Sequence, residues 1–578
     1  MAAKIYYDGE CPFCTSYVGL INLREAVGQV DLINLREDVG MREALTQEGY
    51  DLDQGMVVDI DGKRVGGAEA THVLATLSTS SGWFNRLNRA IFSIQWLSAF
   101  IYPFLRSGRW FTLFLMGRRT INDADGKAEE RQKIFGLIFA LFSVFHVIVF
   151  LLEPGRWPGG PDVFAILIAA LLLLSRPSSA RLLFVLVLVA TISTIMQAPS
   201  QSNRTMLMTM VMIGYWLSFF YAMITSRPVG DIFANFTLAG RGALLVMYFF
   251  GIFHKINTGF LDPENSCAIA LWDRMLPPLG WIQSIYMDYA AIYGTFIVEG
   301  LLILLLLHPK TRHLGMIGGI LFHSLLALSS FAAYIAFTTL SISLHMLFLS
   351  RQQLDTINTS KEMAWLEERA ARWSNRLAFV ILLVVAVFCM LLLRHDLASL
   401  CLLPGVYIVC FLVFRHGRAV DDDRTLKHSK AAYVIGAFVT VLYFANAAMP
   451  YAGLKSAQAV NMFANLRIEG GVSNHLVFSE PPSLFGYLDD VAVITAEGTA
   501  DDMLPINKPD LGIVYYELLA RLADDPDLRL SFTMNGETFD AVGSADLQAE
   551  IDARLHHPFI RKFFNFRPVR WSETWRCL

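Results

Sequence analysis

A pair of thiols near the start of the chain has the spacing of a reactive site. Cys11 and Cys14 are separated by Pro12 and Phe13, after a short apolar run that ends in an Asp-Gly turn. Where a strand ends and a helix begins, the first thiol lies at the helix N-terminus, whose partial positive charge favours the thiolate. We therefore expect Cys11 to be the nucleophile and Cys14 the resolving thiol of a redox-active disulfide.

A structural role for the same cysteines remains open. A C-x-x-C can also be half of a zinc site, which needs a second pair of Cys or His ligands. Only His72 is available nearby, so the pattern favours redox chemistry and predicts no bound metal. The seven cysteines of the chain are too few and too scattered to predict a disulfide framework.

The second reactive feature is a lysine within an apolar region. The segment from Tyr248 to Phe260, YFFGIFHKINTGF, follows a hydrophobic run and places His254 beside Lys255. A charge at membrane depth costs about 2.5–3.5 kcal/mol, so the surroundings must either use it or hide it. Two interpretations stay open: Lys255 reaches the lipid headgroups, or it lies in a desolvated pocket and acts as a general base.

Further polar side chains fall inside predicted membrane spans. They are His146, Glu299, His323 and His345. A single histidine in a span is more often a hydrogen-bond partner between helices than a catalyst. Four such residues, taken with Lys255, favour a polar cavity inside a helical bundle.

The composition indicates an integral membrane protein. Of the 578 residues, 54% are hydrophobic and only 17% are charged, whereas soluble domains carry roughly 25% charged residues. The chain opens with a strand-like pattern and not with a secretory signal. It contains no basic tract interleaved with aromatic residues, so we expect no nucleic-acid partner.

Three domains are expected: a thioredoxin-like α/β domain (1–124), a polytopic α-helical transmembrane bundle (125–455) and a small strand-rich α/β domain (456–578). The first has strand, C-x-x-C, helix, strand, helix, strand, strand order. The bundle should contain about nine to eleven spans. The candidate segments are Ile134–Leu152, Val163–Leu174, Leu182–Met196, Met206–Ile224, Ala243–Phe260, Tyr289–Leu307, Leu314–Ser330, Ala333–Leu349, Leu377–Leu393, Leu397–Phe414 and Ala432–Ala448.

Positive charge predicts the orientation of these spans. Nine Lys and Arg residues between Arg86 and Lys133 precede the first span, which favours a cytoplasmic N-terminus. The stretch from Leu87 to Met116 is interrupted by charges and Pro103, and is predicted to form amphipathic helices at the lipid surface. We expect a multi-pass protein of a bacterial-type inner membrane, with an extracytoplasmic C-terminal domain and Lys255 near the outer face.

Residues 8–14, DGECPFC, resemble the signature of the DCC (DUF393) thiol-disulfide oxidoreductase family, and residues 101–119 resemble the end of that domain. The resemblance covers roughly residues 1–120. It implies a small thioredoxin-like redox domain with Cys11 and Cys14 as its active pair. A protein dithiol or disulfide is then the expected partner.

Three later stretches resemble the vitamin K-dependent gamma-carboxylase superfamily, whose bacterial relatives are the HTTM proteins. They are YFFGIFHKIN at 248–257, the Phe322-His323 pair, and residues 462–476, which include Asn474 and His475. In that family a lysine deprotonates vitamin K hydroquinone, and oxygen then converts the product to a strong base. The resemblance implies Lys255 as base and His323 as a supporting group. His254, Glu299, Asn474 and His475 become candidate substrate-binding residues.

No glutamate-binding segment is recognisable, and the C-terminal region is smaller than that of the animal carboxylase. We therefore expect a quinone or hydroquinone ligand rather than carboxylation. Two classes of function remain: a membrane enzyme that joins a thiol-redox domain to a lysine-base site, and a non-catalytic scaffold or transporter-like protein with a redox-sensing C-x-x-C domain.

Overall fold

A computed structural model describes residues 3–20, 30–78, 83–122, 130–153, 160–198, 202–331, 333–418, 428–480, 483–499, 502–506 and 511–570. The chain divides into two compact units. The first contains Met1–Glu130, Tyr215–Phe236 and His428–Ala432, and the second contains Arg131–Gly214, Thr237–Lys427 and Tyr433–Leu578. The predicted boundaries after residues 124 and 455 remain predictions.

The first unit contains a four-stranded sheet with helices on both faces. Its elements are β1 (Ala3–Tyr7), α1 (Pro12–Leu20), β2 (Val30–Asn34), α2 (Val39–Gln47), β3 (Val57–Ile60), β4 (Lys63–Gly66), α3 (Gly67–Leu77), α4 (Trp83–Phe92) and α5 (Gln95–Met116). The strand order is β2-β1-β3-β4, with β1 parallel to β2 and antiparallel to β3. The predicted α/β class of the N-terminal domain is confirmed.

Alternation along the central strands produces two cores. Ile5 pairs with Val58, and both pack with the two cysteines on one face. Tyr6 pairs with Val57 on the opposite face, where they pack with Leu35 and other apolar residues. Successive side chains of a strand point to opposite faces, so one short strand fills both cores.

Helices α4 and α5 form where amphipathic helices were predicted. Trp96, Phe100 and Phe104 of α5 are exposed, whereas Arg109 and Trp110 of the same helix are buried. The exposed aromatic face is the one that a lipid surface would cover. Association of these helices with the membrane surface remains a prediction.

The helical region follows α5. Among the described residues, eight helical stretches are long and apolar enough to cross a membrane. The helices of the region are α6 (Glu130–Leu152), α7 (Pro161–Ser175), α8 (Ala180–Gln197), α9 (Asn203–Thr225), α10 (Gly230–Phe253), α11 (Thr258–Leu261), α12 (Cys267–Trp272), α13 (Ile285–Leu307), α14 (Arg312–Leu326), α15 (Tyr334–His345), α16 (Arg351–Asn358), α17 (Lys361–Ala371), α18 (Trp373–Leu391), α19 (His395–Leu400), α20 (Leu403–His416) and α21 (Lys430–Ala448).

The eight stretches are fewer than the nine to eleven spans expected from hydropathy. Each of the eleven predicted segments overlaps a helix, but α7 and α14 have 15 residues each and α15 has 12. A helix rises 1.5 Å per residue, so each of these is shorter than the roughly 30 Å of a hydrocarbon core.

One predicted span needs correction because it carries the lysine. The segment Ala243–Phe260 was expected to be helical throughout, but α10 begins at Gly230 and ends at Phe253. Its start was obscured by polar residues such as Arg241, whose Nε donates to the carbonyl oxygen of Leu347 at 2.8 Å. Lys255 therefore lies in a turn beyond the helix.

The C-terminal region is strand-rich and α/β, as expected, and the strands of its sheet are antiparallel. Its elements are β5 (Val491–Thr499), β6 (Asp502–Pro505), β7 (Leu511–Val514), α22 (Tyr515–Asp524), β8 (Arg529–Met534), β9 (Glu537–Val542), α23 (Gln548–Arg554), α24 (Pro558–Arg561) and β10 (Val569–Arg570). The strand order is β10-β7-β5-β8-β9, and β6 pairs with β5. Asn535 and Gly536 have φ values of 52° and 85°, typical of the tight hairpin turn that this dipeptide predicts.

Candidate functional site

The two cysteines lie at the N-terminus of α1. Cys11 directly precedes the helix, and its Sγ accepts a hydrogen bond from the backbone N–H of Cys14 at 3.3 Å. Its carbonyl oxygen accepts the N–H of Thr15 at 3.0 Å. The Cys11 sulfur therefore occupies the position of a helix cap, where a negative charge is favoured.

Two guanidinium groups, the buried one of Arg109 and the partly exposed one of Arg36, lie with the Asp8 carboxylate next to this pair. Asp8 accepts from Arg36 Nε at 2.8 Å and from Arg109 Nη2 at 2.7 Å. Arg109 also donates to the carbonyl oxygen of Asp53 at 2.8 Å. Burial alone would raise the pKa of Asp8, but the two arginines outweigh this effect and hold it below its ordinary value. Of these charged groups, Arg109 lowers the pKa of Cys11 and Asp8 opposes that effect.

These surroundings make the two thiols different. The hydrogen bond from the Cys14 thiol lowers the pKa of Cys11 to about 6. The Cys14 backbone N–H and the charge of Arg109 act in the same direction, whereas burial opposes them. The same hydrogen bond and burial raise the pKa of Cys14. The geometry thus assigns the thiolate to Cys11, in line with its expected role as nucleophile.

Access to the pair is limited. Cys11 is 0% exposed and Cys14 is 8% exposed, and both pack against Leu113 of α5 in an apolar cluster. A disulfide can reach Cys11 only after local opening of this cluster. His72, the sequence candidate for a further ligand, has its Nδ1 2.7 Å from the carbonyl oxygen of Phe92. Within the described ranges, no three His, Cys, Asp or Glu side chains are grouped to hold a metal ion.

The second unit contains a cavity of about 100 Å³ at the end of α10. Its walls are mostly apolar and aromatic, and its ionisable groups include Lys255, Glu299 and His323. Lys255 Nζ donates to both carboxylate oxygens of Glu299, at 2.8 and 2.9 Å, and each residue is 8% exposed. Three of the residues singled out from sequence therefore line one cavity.

The carboxylate of Glu299 approaches the backbone of α10 at a glycine. A Cβ at Gly251 would lie 3.1 Å from Glu299 Oε2, which is tighter than an ordinary contact. Gly251 is one turn before Lys255, so the missing side chain leaves room for the ion pair.

A second polar group lies on the same wall. The hydroxyl of Tyr248 is 2.9 Å from His323 Nε2 and 3.1 Å from His345 Nε2. All three side chains are at most 3% exposed.

The remaining sequence candidates do not line the cavity and instead hold the turn that carries Lys255. His254 bonds Tyr451 Oη at 2.7 Å and the carbonyl oxygen of Ala459 at 2.8 Å, so both ring nitrogens are occupied. His475 Nε2 is 2.9 Å from the carbonyl oxygen of Phe253. The Nδ2 of Asn474 donates to the carbonyl oxygen of Asn465 at 2.8 Å. Their role as substrate-binding residues remains a prediction.

The comparisons with known proteins bear on the N-terminal unit. The DCC1-like thiol-disulfide oxidoreductase family matches residues 5–113. Residues 5–113 are a DCC1-like thiol-disulfide oxidoreductase domain. Neither curated proteins nor solved structures give a match to the chain.

Several residues of these sites were missed by sequence reasoning. In the DCC1-like domain, Arg109 was considered only as one of the positive charges that precede the first span, and Arg36 was not considered. Arg109 precedes Trp110 on the buried face of α5, and a lone arginine on an apolar helix face could have indicated a buried ion pair. In the second unit, Asn257 was not singled out. Its side chain accepts from Phe260 N–H at 2.8 Å and donates to the His254 carbonyl oxygen at 2.7 Å, which fixes the turn.

Removing the Arg109 charge should make Cys11 less reactive. In a Cys14→Ser background, whose hydroxyl keeps a donor to Cys11, the rate of Cys11 alkylation should rise with pH and level off above its pKa. Arg109→Met should move that midpoint upward, towards the usual thiol value of about 8.5. The measurement is peptide-resolved mass spectrometry of iodoacetamide adducts. Arg106→Met, on the same helix, is the control, and an equal shift in both variants would contradict the assignment to Arg109.

Breaking the buried ion pair should destabilise the second unit. Lys255→Met or Glu299→Gln leaves a buried charge unpaired, and each should cost about 3–5 kcal/mol. The double variant Lys255→Met/Glu299→Gln should recover part of this loss because neither charge remains. Thermal unfolding midpoints in detergent test this, with Glu362→Gln, which removes one partner of a solvent-screened surface pair, as a control that should unfold near the wild-type midpoint. Additive losses in the double variant would show that the two groups do not interact.

Proposed function

We propose that this protein is a multi-pass membrane thiol-disulfide oxidoreductase in which Cys11 attacks a disulfide of a protein partner. The observation that carries the proposal is the Cys11 sulfur at the start of α1, where it accepts the Cys14 N–H. The buried Arg109 adds a positive charge that favours the thiolate. The family match of residues 5–113 supports the same chemistry.

The reaction exchanges two thiols for one disulfide. The Cys11 thiolate attacks one sulfur of the partner, the partner's S–S bond breaks, and its other sulfur leaves as a thiolate. Cys14 then loses its proton and attacks Cys11 Sγ, which releases the second partner sulfur and closes the Cys11–Cys14 disulfide. A dithiol reductant returns the pair to its starting state. The raised pKa of Cys14 keeps it protonated until the mixed disulfide has formed.

For the membrane region we propose binding of a quinone-type or hydroquinone-type ligand. Aromatic walls fit a planar ring, and one charged pair beside a histidine offers hydrogen bonds to ring oxygens. The Lys255 ammonium is already paired with Glu299. We therefore assign it the stabilisation of an anionic ligand oxygen and not the role of a base in the resting protein. Of the chemistry implied by the gamma-carboxylase resemblance, we retain the ligand class and not carboxylation. Such a ligand would enter from the surrounding lipid.

The proposed orientation keeps the N-terminus in the cytoplasm of a bacterial-type cell and the C-terminal domain outside. Termini on opposite sides of the membrane require an odd number of crossings. One of the shorter apolar helices must therefore cross in addition to the eight longer stretches, and we propose that it is α7. Cys267, in the segment after α10, is disulfide-bonded. Disulfides persist in oxidising compartments, which supports an extracytoplasmic position for that segment.

Loss of either cysteine should produce a different defect. Cys11→Ser should abolish disulfide reduction, because no nucleophile remains. Cys14→Ser should accumulate a mixed disulfide between Cys11 and the partner, because nothing resolves it. Purified full-length protein with a fluorescent disulfide peptide as substrate, followed by non-reducing electrophoresis, checks both outcomes. Full turnover in both variants would leave the C-x-x-C a structural or sensing element.

Filling the cavity should block the ligand without removing a charge. Ala268 lines the cavity and is 7% exposed, so Ala268→Leu should weaken binding of 2-methyl-1,4-naphthoquinone at least about tenfold, equivalent to roughly 1.4 kcal/mol. Ala290→Leu, on the exposed face of α13, is the control. Isothermal titration in detergent measures both. Equal affinity in all three proteins would place the quinone elsewhere and favour the scaffold interpretation.

A further inference from the structure

The hydrogen bonds around Tyr248 fix where the protons lie. His345 Nδ1 is 2.7 Å from the carbonyl oxygen of Ser341, which can only accept, so Nδ1 carries the proton. In a neutral ring Nε2 is then an acceptor, and the Tyr248 hydroxyl must donate to it. The oxygen of Tyr248 is left to accept the N–H of His323 Nε2. The chain therefore runs in one direction, from His323 through Tyr248 to His345.

This direction leaves a free lone pair on the cavity wall. If His323 is protonated at Nε2, its Nδ1 is an acceptor, and this atom is buried without a hydrogen-bond partner among the described residues. His323 is 3% exposed and lines the cavity. Lys255 cannot serve as acceptor while its ammonium donates to Glu299, since an ammonium has donors only.

We propose that His323 Nδ1 takes the proton of a hydroxyl-bearing aromatic ligand and that Tyr248 passes the charge on to His345. The inference rests on the proposed ligand class of the cavity and assigns its base to His323 rather than to Lys255. Tyr248 and His345 act through His323 and are positioning residues.

The transfer balances without any oxidant or reductant. The O–H bond of the ligand breaks and its proton joins His323 Nδ1, while the Nε2 proton of His323 moves to Tyr248. The proton of Tyr248 moves to His345 Nε2, and His345 becomes an imidazolium whose Nδ1–H still donates to Ser341. The ligand oxygen is left as an anion in the cavity that holds the Lys255 ammonium. The new positive charge therefore forms on His345. If the proton stayed on His323 alone, that charge would remain in the cavity beside the Lys255 ammonium.

The packing around His345 fixes the position of its imidazole ring. A Cβ at Gly319 would collide with His345 Nε2. Gly319 is one helical turn before His323 on α14. The same helix thus carries the base and leaves space for the last member of the relay.

The test uses 4-nitrophenol, whose phenolate is yellow and whose phenol form is colourless. Full-length protein in detergent is titrated with the probe at a fixed pH below the probe's own midpoint, and difference spectra give the ionised fraction of bound probe. Wild type should bind it as phenolate. Tyr248→Phe, which removes one oxygen, and Gly319→Ala, which displaces the His345 ring, should each lower the ratio of phenolate to phenol at least about tenfold, one pKa unit. Gly294→Ala has open space around its Cβ and should behave as wild type.

The outcomes separate the relay from the ligand site. Saturable binding with unchanged ionisation in both Tyr248→Phe and Gly319→Ala would overturn the relay and leave the ligand site standing. Absence of saturable binding to wild type would overturn the ligand site and the relay together. A tenfold loss of ionisation in both variants with retained binding, against no change in Gly294→Ala, is the result that supports the relay.

Discussion

Charge held away from water is the constraint on which both candidate sites depend. An isolated buried ion is too costly to keep, so the ion pairs at both sites are also hydrogen-bonded. In the first unit, Asp8 is held between Arg36 and Arg109. In the second, Lys255 and Glu299 form a two-pronged pair. In each ion pair the two partners hold each other in place. A group with an unused electron pair lies beside each one: the Cys11 sulfur in the first unit and His323 Nδ1 in the second.

The two sites use that charge differently. Arg109 acts on Cys11 before any substrate arrives, because it favours the thiolate in the resting protein. Lys255 is neutralised by Glu299 in the resting state, so its charge matters once an anionic oxygen forms beside it. A fixed positive charge that meets a developing negative one lowers the energy of that step. In our proposal, Cys11 is therefore the resting nucleophile, and Lys255 stabilises an anion that forms when His323 takes the proton of the ligand.

The sequence patterns predicted the helices and strands more accurately than the contacts between their side chains. The order of strands and helices around the C-x-x-C predicted the α/β class of the N-terminal domain. Hydropathy failed at α10 because Arg241 is hidden by a backbone carbonyl, which no window of composition reveals. Glu299 and His323 were recognised as unusual, but their contact with Lys255 depends on how the end of α10, the interior of α13 and the last turn of α14 pack together. Gly251 and Gly319 carried no signal at all, since a glycine that makes room for a distant side chain resembles any other glycine in a membrane helix.

A redox titration of Cys11 and Cys14 measures whether the pair is a dithiol that cycles with a disulfide. Full-length protein is equilibrated in buffers of graded reduced and oxidised glutathione, quenched, alkylated and analysed peptide by peptide. We expect both thiols to disappear together in one two-electron transition, in which the ratio of oxidised to reduced protein changes tenfold for about 30 mV. Thiols that stay open to alkylation at every potential, or the loss of one without the other, would contradict it.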